Sequence, residues 1–343
     1  MQQLRILLLP FAWIYGGIMS IRNFLFDFNL KHSYSIPKKS ICVGNLSVGG
    51  TGKTPHVVYL SNLLKDSNKI TLLSRGYGRT TKGFILGEKI SKGSEIGDEP
   101  KLYVSRFNHE VNVVVCEKRA DGVRKIQDLF PENNLIILDD AFQHRAVKAG
   151  LNILLTDYSS LFSNDYVLPA GNLREFQSGK KRADLIIVTK CPENLKQDEK
   201  TKVIESLKFD ATKIFFSSIK YGELIPFGKP VDFNLKNILL VTGIANSEPL
   251  INELKKKYKV ESISFSDHHN FSAQDIDRIH QKFDTFASDS KAIITTEKDF
   301  MRLSEMIEST EIKKYPWLYQ AIEVEIDKKN IFNNLVIQYV NSI

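Results

Sequence analysis

The feature that most constrains the fold of this 343-residue chain is a glycine-rich segment, residues 47–54, which joins an apolar β-type run to a helical one. Glycines let successive backbone N–H groups turn inward onto phosphate oxygens, and the start of a helix adds positive potential. Lys53 can then reach the terminal phosphates of a nucleotide, and the Thr54 hydroxyl can bind Mg²⁺. The predicted nucleotide-binding residues are Ser47, Val48, Gly49, Gly50, Thr51, Gly52, Lys53 and Thr54.

This segment resembles a Walker A loop but departs from the usual pattern at one position. Ser47 stands where the first glycine is expected, five residues before Gly52, so a strict pattern search would miss the loop. The alternative interpretation is a glycine-rich turn whose lysine is merely exposed. The coincidence of strand, glycines, Lys53-Thr54 and helix favours nucleotide binding.

A second motif, at residues 135–140, indicates the same chemistry. Four apolar residues precede Asp139 and Asp140, as in a Walker B strand that delivers carboxylates to the sheet edge where the phosphate loop lies. One of the two carboxylates can hold Mg²⁺, directly or through water. We assign Asp139 to the metal and Asp140, with Lys53, to catalysis. Adjacent acids at a strand end can also be an ordinary helix start.

Short apolar runs recur along the chain and predict a parallel sheet. Strands that are apolar throughout are buried on both faces, which is typical of a parallel sheet covered by helices. The polar residues that follow them gather at the carboxyl edge, where open α/β sheets bind ligands. The predicted strands lie at residues 40–43, 70–73, 111–115, 135–138, 153–155 and 185–188.

A smaller series of the same kind begins near residue 237. Two extended, alternating runs, 213–219 and 317–326, flank this series, and we expect them to pair as a two-stranded connector that acts as a hinge. Within the series, strands are predicted at 238–241, 262–265 and 292–295, and helices at 248–258 and 273–286, with a terminal helix at 329–341.

The predicted fold class is therefore α/β: a P-loop NTPase-like, mostly parallel sheet domain plus a second, smaller α/β lobe joined by the two-stranded connector. The expected regions are an N-terminal hydrophobic membrane-interface helix (1–36), a P-loop core (37–212), a connector strand (213–234), the smaller lobe (235–312), and a return strand with the terminal helix (313–343).

The amino-terminal run, residues 6–19, contains 14 uncharged residues. As a helix it would reach about 21 Å, short of the roughly 30 Å hydrocarbon core of a bilayer. Basic residues flank it and Trp13 and Tyr15 lie within it, which suits the headgroup boundary. We expect a helix lying in the membrane interface; a buried core helix and a signal peptide are the alternatives. The net charge of +7 favours anionic partners in general.

Three classes of phosphate-loop protein are compared. A GTPase would carry an Asn-Lys-x-Asp base reader, which neither 189–192 nor 296–299 matches. A partitioning-type ATPase normally has a signature lysine where this chain has Val48. A kinase remains. A soluble P-loop kinase for a small sugar or nucleoside, and a nucleotide-switched regulatory ATPase, stay open as alternatives.

Five segments, taken in order, resemble the tetraacyldisaccharide 4'-kinases of lipid A biosynthesis. They are Gly-Asn-Leu-Ser-Val-Gly-Gly-Thr-Gly-Lys-Thr-Pro (44–55), Ser-Arg-Gly-Tyr-Gly-Arg (74–79), Gly-Asp-Glu-Pro (97–100), Asp-Asp-Ala-Phe-Gln-His-Arg (139–145) and Leu-Pro-Ala-Gly-Asn-Leu-Arg-Glu (168–175). Ala141 departs from the glycine common in the family, and the smaller lobe matches weakly outside Asp267 and His268.

The resemblance implies an activity and a location. The activity is ATP-dependent, Mg²⁺-assisted transfer of the γ-phosphate to the 4' hydroxyl of a tetraacyl glucosamine disaccharide 1-phosphate. The location is the cytoplasmic face of the bacterial inner membrane, with the enzyme peripheral or monotopic. We expect a monomer and no nucleic-acid partner.

The resemblance also implies the remaining site residues. Asp98 is expected to take the proton of the acceptor hydroxyl, and His268 to orient or polarise Asp98 when the lobes close. Glu175 is implied as a further metal ligand. Their ordinary alternatives are a helix start, an exposed turn and a helix-terminal acid. The implied substrate contacts are Arg75 and Arg119, each of which could instead be a solvated surface charge, together with Tyr77, Gln143, His144 and Asn172.

Overall fold

The structure is a computed structural model that describes residues 5–231, 234–286 and 290–342. Its strands are β1 (Tyr34–Ser35), β2 (Lys39–Asn45), β3 (Ile70–Ser74), β4 (Ile85–Leu86), β5 (Asn112–Val115), β6 (Leu135–Asp139), β7 (Val147–Lys148), β8 (Leu151–Asp157), β9 (Leu185–Thr189), β10 (Ile214–Pro226), β11 (Asn237–Thr242), β12 (Lys259–Ser264), β13 (Lys291–Thr296) and β14 (Trp317–Ile326). Its α-helices are α1 (Leu9–Asp27), α2 (Lys53–Leu64), α3 (Gly93–Ile96), α4 (Asp98–Phe107), α5 (Arg119–Leu129), α6 (Gln197–Leu207), α7 (Glu248–Lys255), α8 (Ala273–Asp284), α9 (Glu297–Leu303) and α10 (Lys329–Asn341).

The core is a parallel sheet with the order β10-β9-β8-β2-β6-β3-β5, and β4 adds an antiparallel edge. All six strands predicted for this part of the chain are confirmed. Both faces of the sheet are covered, because α1, α5 and α6 contribute to one apolar cluster while α2, α4 and α10 contribute to the other. This two-sided burial is the physical reason that the strands are apolar throughout.

The smaller lobe continues the same sheet. Strand β11 lies between β12 and β13, β13 pairs with β14, and all three pairings are parallel. Strand β14 then pairs antiparallel with β10, so twelve strands form one hydrogen-bonded sheet. The structure confirms that the two connector strands pair, and that both helices of the lobe and the terminal helix form. The region boundaries stay predictions; residues 232–233 of the 213–234 region and 287–289 of the 235–312 region lie outside the described residues.

The antiparallel β10–β14 pair determines how the lobes face each other. In a flat sheet, this reversal would place the carboxyl edges of the two parallel halves on opposite sides. The Asp98 and His268 side chains nevertheless meet across the lobes, with Oδ2 3.7 Å from Nδ1. The sheet is therefore not flat between its two halves, and the β10–β14 pair has a register shift between Tyr221 and Leu224. Such irregularities bend and twist strand pairs.

The amino-terminal helix is longer than the sequence predicted. Helical structure runs from Ile6 to Asp27, 22 residues that are long and apolar enough, by length and composition only, to cross a membrane. The expectation of a helix too short to span is therefore wrong, because the chain stays helical through the aromatic residues after position 19. Only Ala12 and Gly16 are buried in α1, and a Cβ on Gly16 would lie 2.3 Å from Cζ of Phe176. This close contact docks one face of the helix on the core.

Candidate active site

The glycine-rich segment forms an open loop between β2 and α2. Val48, Gly49 and Gly50 are exposed, and a Cβ added to either glycine would meet no heavy atom within 4 Å. Gly49 and Gly52 have φ values of 102° and 82°, a left-handed conformation that favours glycine. The loop thus presents backbone to solvent at the helix start, as an anion site requires.

Neighbouring segments hold this loop from behind. The Asn172 carbonyl accepts a 2.7 Å hydrogen bond from the Val48 N–H. The Lys190 ammonium donates to the Gly50 carbonyl at 2.5 Å, and the Thr189 hydroxyl donates to the Thr51 carbonyl at 2.9 Å. The loop is therefore braced by the ends of other elements and does not depend on its own hydrogen bonds alone.

Asp140 and two cations lie beside the loop. Lys53 Nζ is 3.6 Å from Asp140 Oδ2, and Arg174 Nη1 is 3.1 Å from Asp140 Oδ1. Burial raises the pKa of Asp140, but Lys53 and Arg174 outweigh it and the net pKa is lowered, so this carboxylate stays ionised. The arrangement keeps a cationic pair next to the place where terminal phosphates would lie.

Asp139 points into the protein on the other side of the same strand end. Its Oδ2 accepts a 3.1 Å hydrogen bond from the Tyr103 hydroxyl, which also interacts with the Thr54 hydroxyl. Its Oδ1 is buried without a hydrogen-bond partner among the described residues. Burial, followed by Glu99 and Asp140, raises the pKa of Asp139. A buried carboxylate oxygen without a partner beside a threonine hydroxyl suits Mg²⁺, which prefers oxygen ligands.

Glu175 has a different setting from the predicted one. One carboxylate oxygen accepts from Gln143 at 3.1 Å and from Arg182 at 2.6 Å, and the other accepts from Asn23 at 2.7 Å. These donors occupy the oxygens that a metal would need. Within the described ranges, no group of three His, Cys, Asp or Glu side chains is placed to hold a metal. The metal role of Glu175 stays a prediction, and its observed contacts join α1 to the loop that follows β6.

Asp98 and His268 meet from the two lobes. Asp98 is the first residue of α4, where Gly97 rather than Asp98 occupies the cap position. His268 follows β12 with φ of 58°, and its ring lies 6.1 Å from that of Tyr77. The sequence-predicted association of Asp98 with His268 is thus present in the structure, while their roles in catalysis stay predictions.

The implied substrate contacts divide into exposed and buried groups. Arg75 and Tyr77 are exposed on the loop after β3. Arg119 is only 2% exposed, and it donates to the carbonyls of Cys116 and Asp139. Burial lowers the pKa of Arg119 to about 10. In this structure Arg119 supports the strand ends, and its contact with substrate stays a prediction.

Three implied contacts remain: Gln143, His144 and Asn172, whose carbonyl braces the phosphate loop and whose contact with substrate stays a prediction. Burial, with Arg119 and Arg75 nearby, lowers the pKa of His144 to about 4, so this imidazole is neutral at pH 7. Gln143 donates to the Asn45 carbonyl at 2.7 Å as well as to Glu175. Gln143 and His144 are half-buried, so they and the exposed Arg75 are accessible polar groups, whereas Arg119 is not.

Four functional side chains were missed by the sequence reasoning. Arg174 was inside a quoted motif but received no role, and Tyr103 had no sequence signal beyond its position one helical turn after Asp98-Glu99. Lys298 lies in residues 296–299, a segment that was compared only with the Asn-Lys-x-Asp motif by which GTPases recognise guanine. Arg302, one turn later, contacts Asp98 across the lobes. Sequence spacing alone does not reveal such contacts between distant segments.

An open parallel sheet with this phosphate loop after one strand and a carboxylate pair after its neighbour defines a P-loop nucleotide-binding protein. A family model described as Tetraacyldisaccharide-1-P 4'-kinase matches residues 4–341. The chain belongs to the tetraacyldisaccharide 4'-kinase family.

Individual relatives agree along the whole length. The tetraacyldisaccharide 4'-kinase of Bacteroides thetaiotaomicron is 42% identical, with 97% of this chain and 92% of that protein covered. The enzyme of the same name from Flavobacterium psychrophilum is also 42% identical, with 100% and 98% covered. A crystal structure of LpxK from Aquifex aeolicus in complex with ATP has a TM-score of 0.75 and 30% identity, with 98% of this chain and 99% of that chain covered.

Proposed function

We propose that this protein transfers the γ-phosphate of ATP to the 4' hydroxyl of a tetraacyl glucosamine disaccharide 1-phosphate in lipid A biosynthesis. Membership of the kinase family over residues 4–341 supports the reaction. The observation in the structure that carries the proposal is the meeting of Asp98 and His268. It supplies an acceptor-activating group on α4, the helix whose Tyr103 hydroxyl contacts Thr54 at the end of the phosphate loop. Neither a soluble small-molecule kinase nor a regulatory ATPase is favoured.

The phosphate loop and its neighbours bind the donor. Backbone N–H groups of residues 49, 50, 52 and 53 and the Lys53 ammonium would hold the β and γ phosphates, and Arg174 adds charge beside Asp140. Thr54 and Asp139 would hold Mg²⁺, which supplies neutralisation of charge on the phosphates when bound. Tyr103 keeps these two oxygen ligands next to each other.

Asp98 acts on the acceptor. It lies five residues before Tyr103 on α4, about 7.5 Å of helix rise from the side chain that contacts Thr54, and the acceptor would bind between Asp98 and the loop. The sugar oxygen forms a bond to the γ-phosphorus while the bond to the β–γ bridging oxygen breaks. The hydroxyl proton passes to the Asp98 carboxylate, and ADP leaves. No covalent intermediate with the enzyme is required.

A membrane location follows from the substrate and from α1. An acylated disaccharide stays in the bilayer, so the enzyme must approach it. Helix α1 exposes an apolar face beside the site, with Ile14 63% and Ile18 61% exposed, while Tyr15 and Asn23 bond to the Arg174 carbonyl and to Glu175. The exposed apolar face supports an interfacial position, and the proposal places the enzyme as a peripheral or monotopic monomer on the cytoplasmic side of the inner membrane.

The test is phosphorylation of the lipid-linked disaccharide with labelled ATP or GTP. We expect transfer from ATP in preference to GTP, and Asp98→Ala should lower kcat by about 10² or more with nearly unchanged ATP binding. Asp284→Ala, an exposed acid of the smaller lobe, serves as the control. No transfer by the wild type would overturn the function, whereas full turnover by Asp98→Ala would remove only the assignment of the base.

A further inference from the structure

Two cations of helix α9 reach the Asp98–His268 pair. Lys298 and Arg302 are four residues apart and so lie on one face of the helix. Lys298 Nζ is 3.1 Å from His268 Nε2, and Arg302 Nε is 3.2 Å from Asp98 Oδ2. Resting on the proposed function, we infer that Lys298 and Arg302 are positioning residues that orient His268 and Asp98 for proton removal from the acceptor.

Lys298 selects the proton position on His268. An ammonium group can only donate, so His268 Nε2 accepts and the ring carries its proton on Nδ1. Nδ1 is the nitrogen that faces Asp98 Oδ2 at 3.7 Å. Asp267 is the other charged group near Nε2, but at 4.0 Å it is more distant than Lys298. The tautomer set by Lys298 therefore directs an N–H group at the proposed base.

Arg302 holds Asp98 from a buried position. Its side chain is 8% exposed, and the guanidinium donates to the His269 carbonyl at 2.6 Å and lies 3.2 Å from both Asp98 and Asp299. Asp299 is itself anchored by the Gly243 N–H and the Thr296 hydroxyl. One guanidinium thus fixes the base and the backbone next to His268 relative to each other.

Two nitrogens of Arg302 lie close to carboxylates without forming hydrogen bonds, which suits a protein whose two lobes move closer together when substrate binds. Its Nε and Nη2 are buried and make no hydrogen bond within the described part of the chain, although both face carboxylates. Catalytic hydrogen bonds are often long or poorly aligned before substrate binds and tighten in the complex. A small approach of the lobes would complete these bonds and fix the Asp98 oxygen that His268 also faces.

The experiment compares Lys298→Met with Lys298→Arg and with Lys314→Met, a control at an exposed lysine whose ion pair is with Glu311. We expect Lys298→Met to lower kcat by about 10 to 100-fold with unchanged KM for ATP, as loss of an orienting partner does elsewhere. Lys298→Arg should restore most of the rate, since it also donates, and Lys314→Met should match the wild type. Arg302→Met should also lower kcat and leave the KM for ATP unchanged. Urea unfolding of this variant checks that it is folded.

A double-mutant cycle separates positioning from general support. In a His268→Ala background, Lys298→Met should cause little further loss, because the group that it orients is gone. Independently of activity, ¹H–¹⁵N spectra of the histidine rings should show His268 protonated on Nδ1 in the wild type and a shift toward the Nε2 form in Lys298→Met, with His268→Ala identifying the signal.

The outcomes are distinct. If the wild type is active and Lys298→Met keeps its full kcat, the positioning role is overturned. Additive losses in the double-mutant cycle overturn it too. Neither result contradicts the proposed function. A wild type that transfers no phosphate overturns the function and this inference with it. Loss of kcat in Lys298→Met with the tautomer shift supports the inference.

Discussion

His56 shows what a single buried side chain contributes behind the phosphate loop. It lies in the first turn of α2, with Nδ1 2.7 Å from the Gly52 carbonyl and Nε2 2.9 Å from the Ser217 hydroxyl. Because a carbonyl can only accept, Nδ1 carries the proton and Nε2 accepts from Ser217. This neutral ring links the loop to β10. Burial lowers the pKa of His56 to about 4.

This lowered pKa predicts a loss of stability in mild acid. The unfolded chain binds a proton at His56 below about pH 6.5, whereas the folded protein does so only near pH 4, so stability falls as the pH drops through this window. His56 should lower the unfolding free energy by about 2 kcal/mol at pH 5 relative to pH 8, in addition to the contribution of His144, whose pKa is also lowered to about 4. Urea unfolding from pH 5 to 8 should show a weaker pH dependence for His56→Gln. The exposed His109→Gln is the control, and an equal dependence in His56→Gln would contradict the assignment.

Helix α1 combines two roles on its two faces. The buried face carries Ala12 and Gly16 and bonds to the segment that braces the phosphate loop, through Tyr15 and Asn23. The other face exposes large apolar side chains. Deleting residues 1–20 would therefore disturb the core as well as membrane binding, and substitutions confined to the exposed face are the cleaner test.

The variant Ile14→Glu/Ile18→Glu should weaken membrane binding and leave the fold intact. Both side chains are more than 60% exposed, and transfer of each to lipid contributes about 1.5 kcal/mol or more, so affinity should fall by about 100-fold. Sedimentation with phosphatidylglycerol–phosphatidylethanolamine vesicles measures it. Ile90→Glu makes the same chemical change at an 84% exposed site away from α1. Unreduced sedimentation of the double variant, relative to this control, would contradict the role of α1.

At the scale of the whole molecule, the lobes are joined by more than the connector. Arg106 of α4 forms an ion pair with Glu297 of α9 and also donates to the Ile322 carbonyl of β14 at 3.0 Å. Glu305, after α9, accepts from the Gly93 N–H and from Lys101, both at 2.6 Å. The helix that carries Asp98 is thus tied to the lobe that carries His268.

Breaking the Arg106–Glu297 pair should destabilise the whole protein. Glu297→Ala leaves a largely buried guanidinium without its carboxylate, which costs about 3 kcal/mol in comparable pairs. Glu311→Ala, which removes the exposed partner of Lys314, should change stability by less than about 0.5 kcal/mol. Urea unfolding of both variants measures the difference. Equal stabilities would show that the pair does not hold the lobes together.

Local sequence determined the elements and the phosphate loop. Apolar runs such as 135–138 predicted buried parallel strands because a strand covered on both faces needs no polar residues. Glycines at 49 and 52 were necessary for the loop conformation, so the nucleotide site was readable directly. The pairing of Asp98 with His268 came from family resemblance, since 170 residues separate them and no local rule connects them.

Tertiary structure alone decided which polar residues became accessible and which became supports. Arg75 and Arg119 look alike in sequence, yet one is exposed and the other is sealed beneath the strand ends. Glu175 is surrounded by donors from three separate segments, and Arg302 reaches Asp98 only because the two lobes meet in the folded chain. Residue type and spacing determine local conformation, whereas burial and ion pairing depend on contacts between distant parts of the chain.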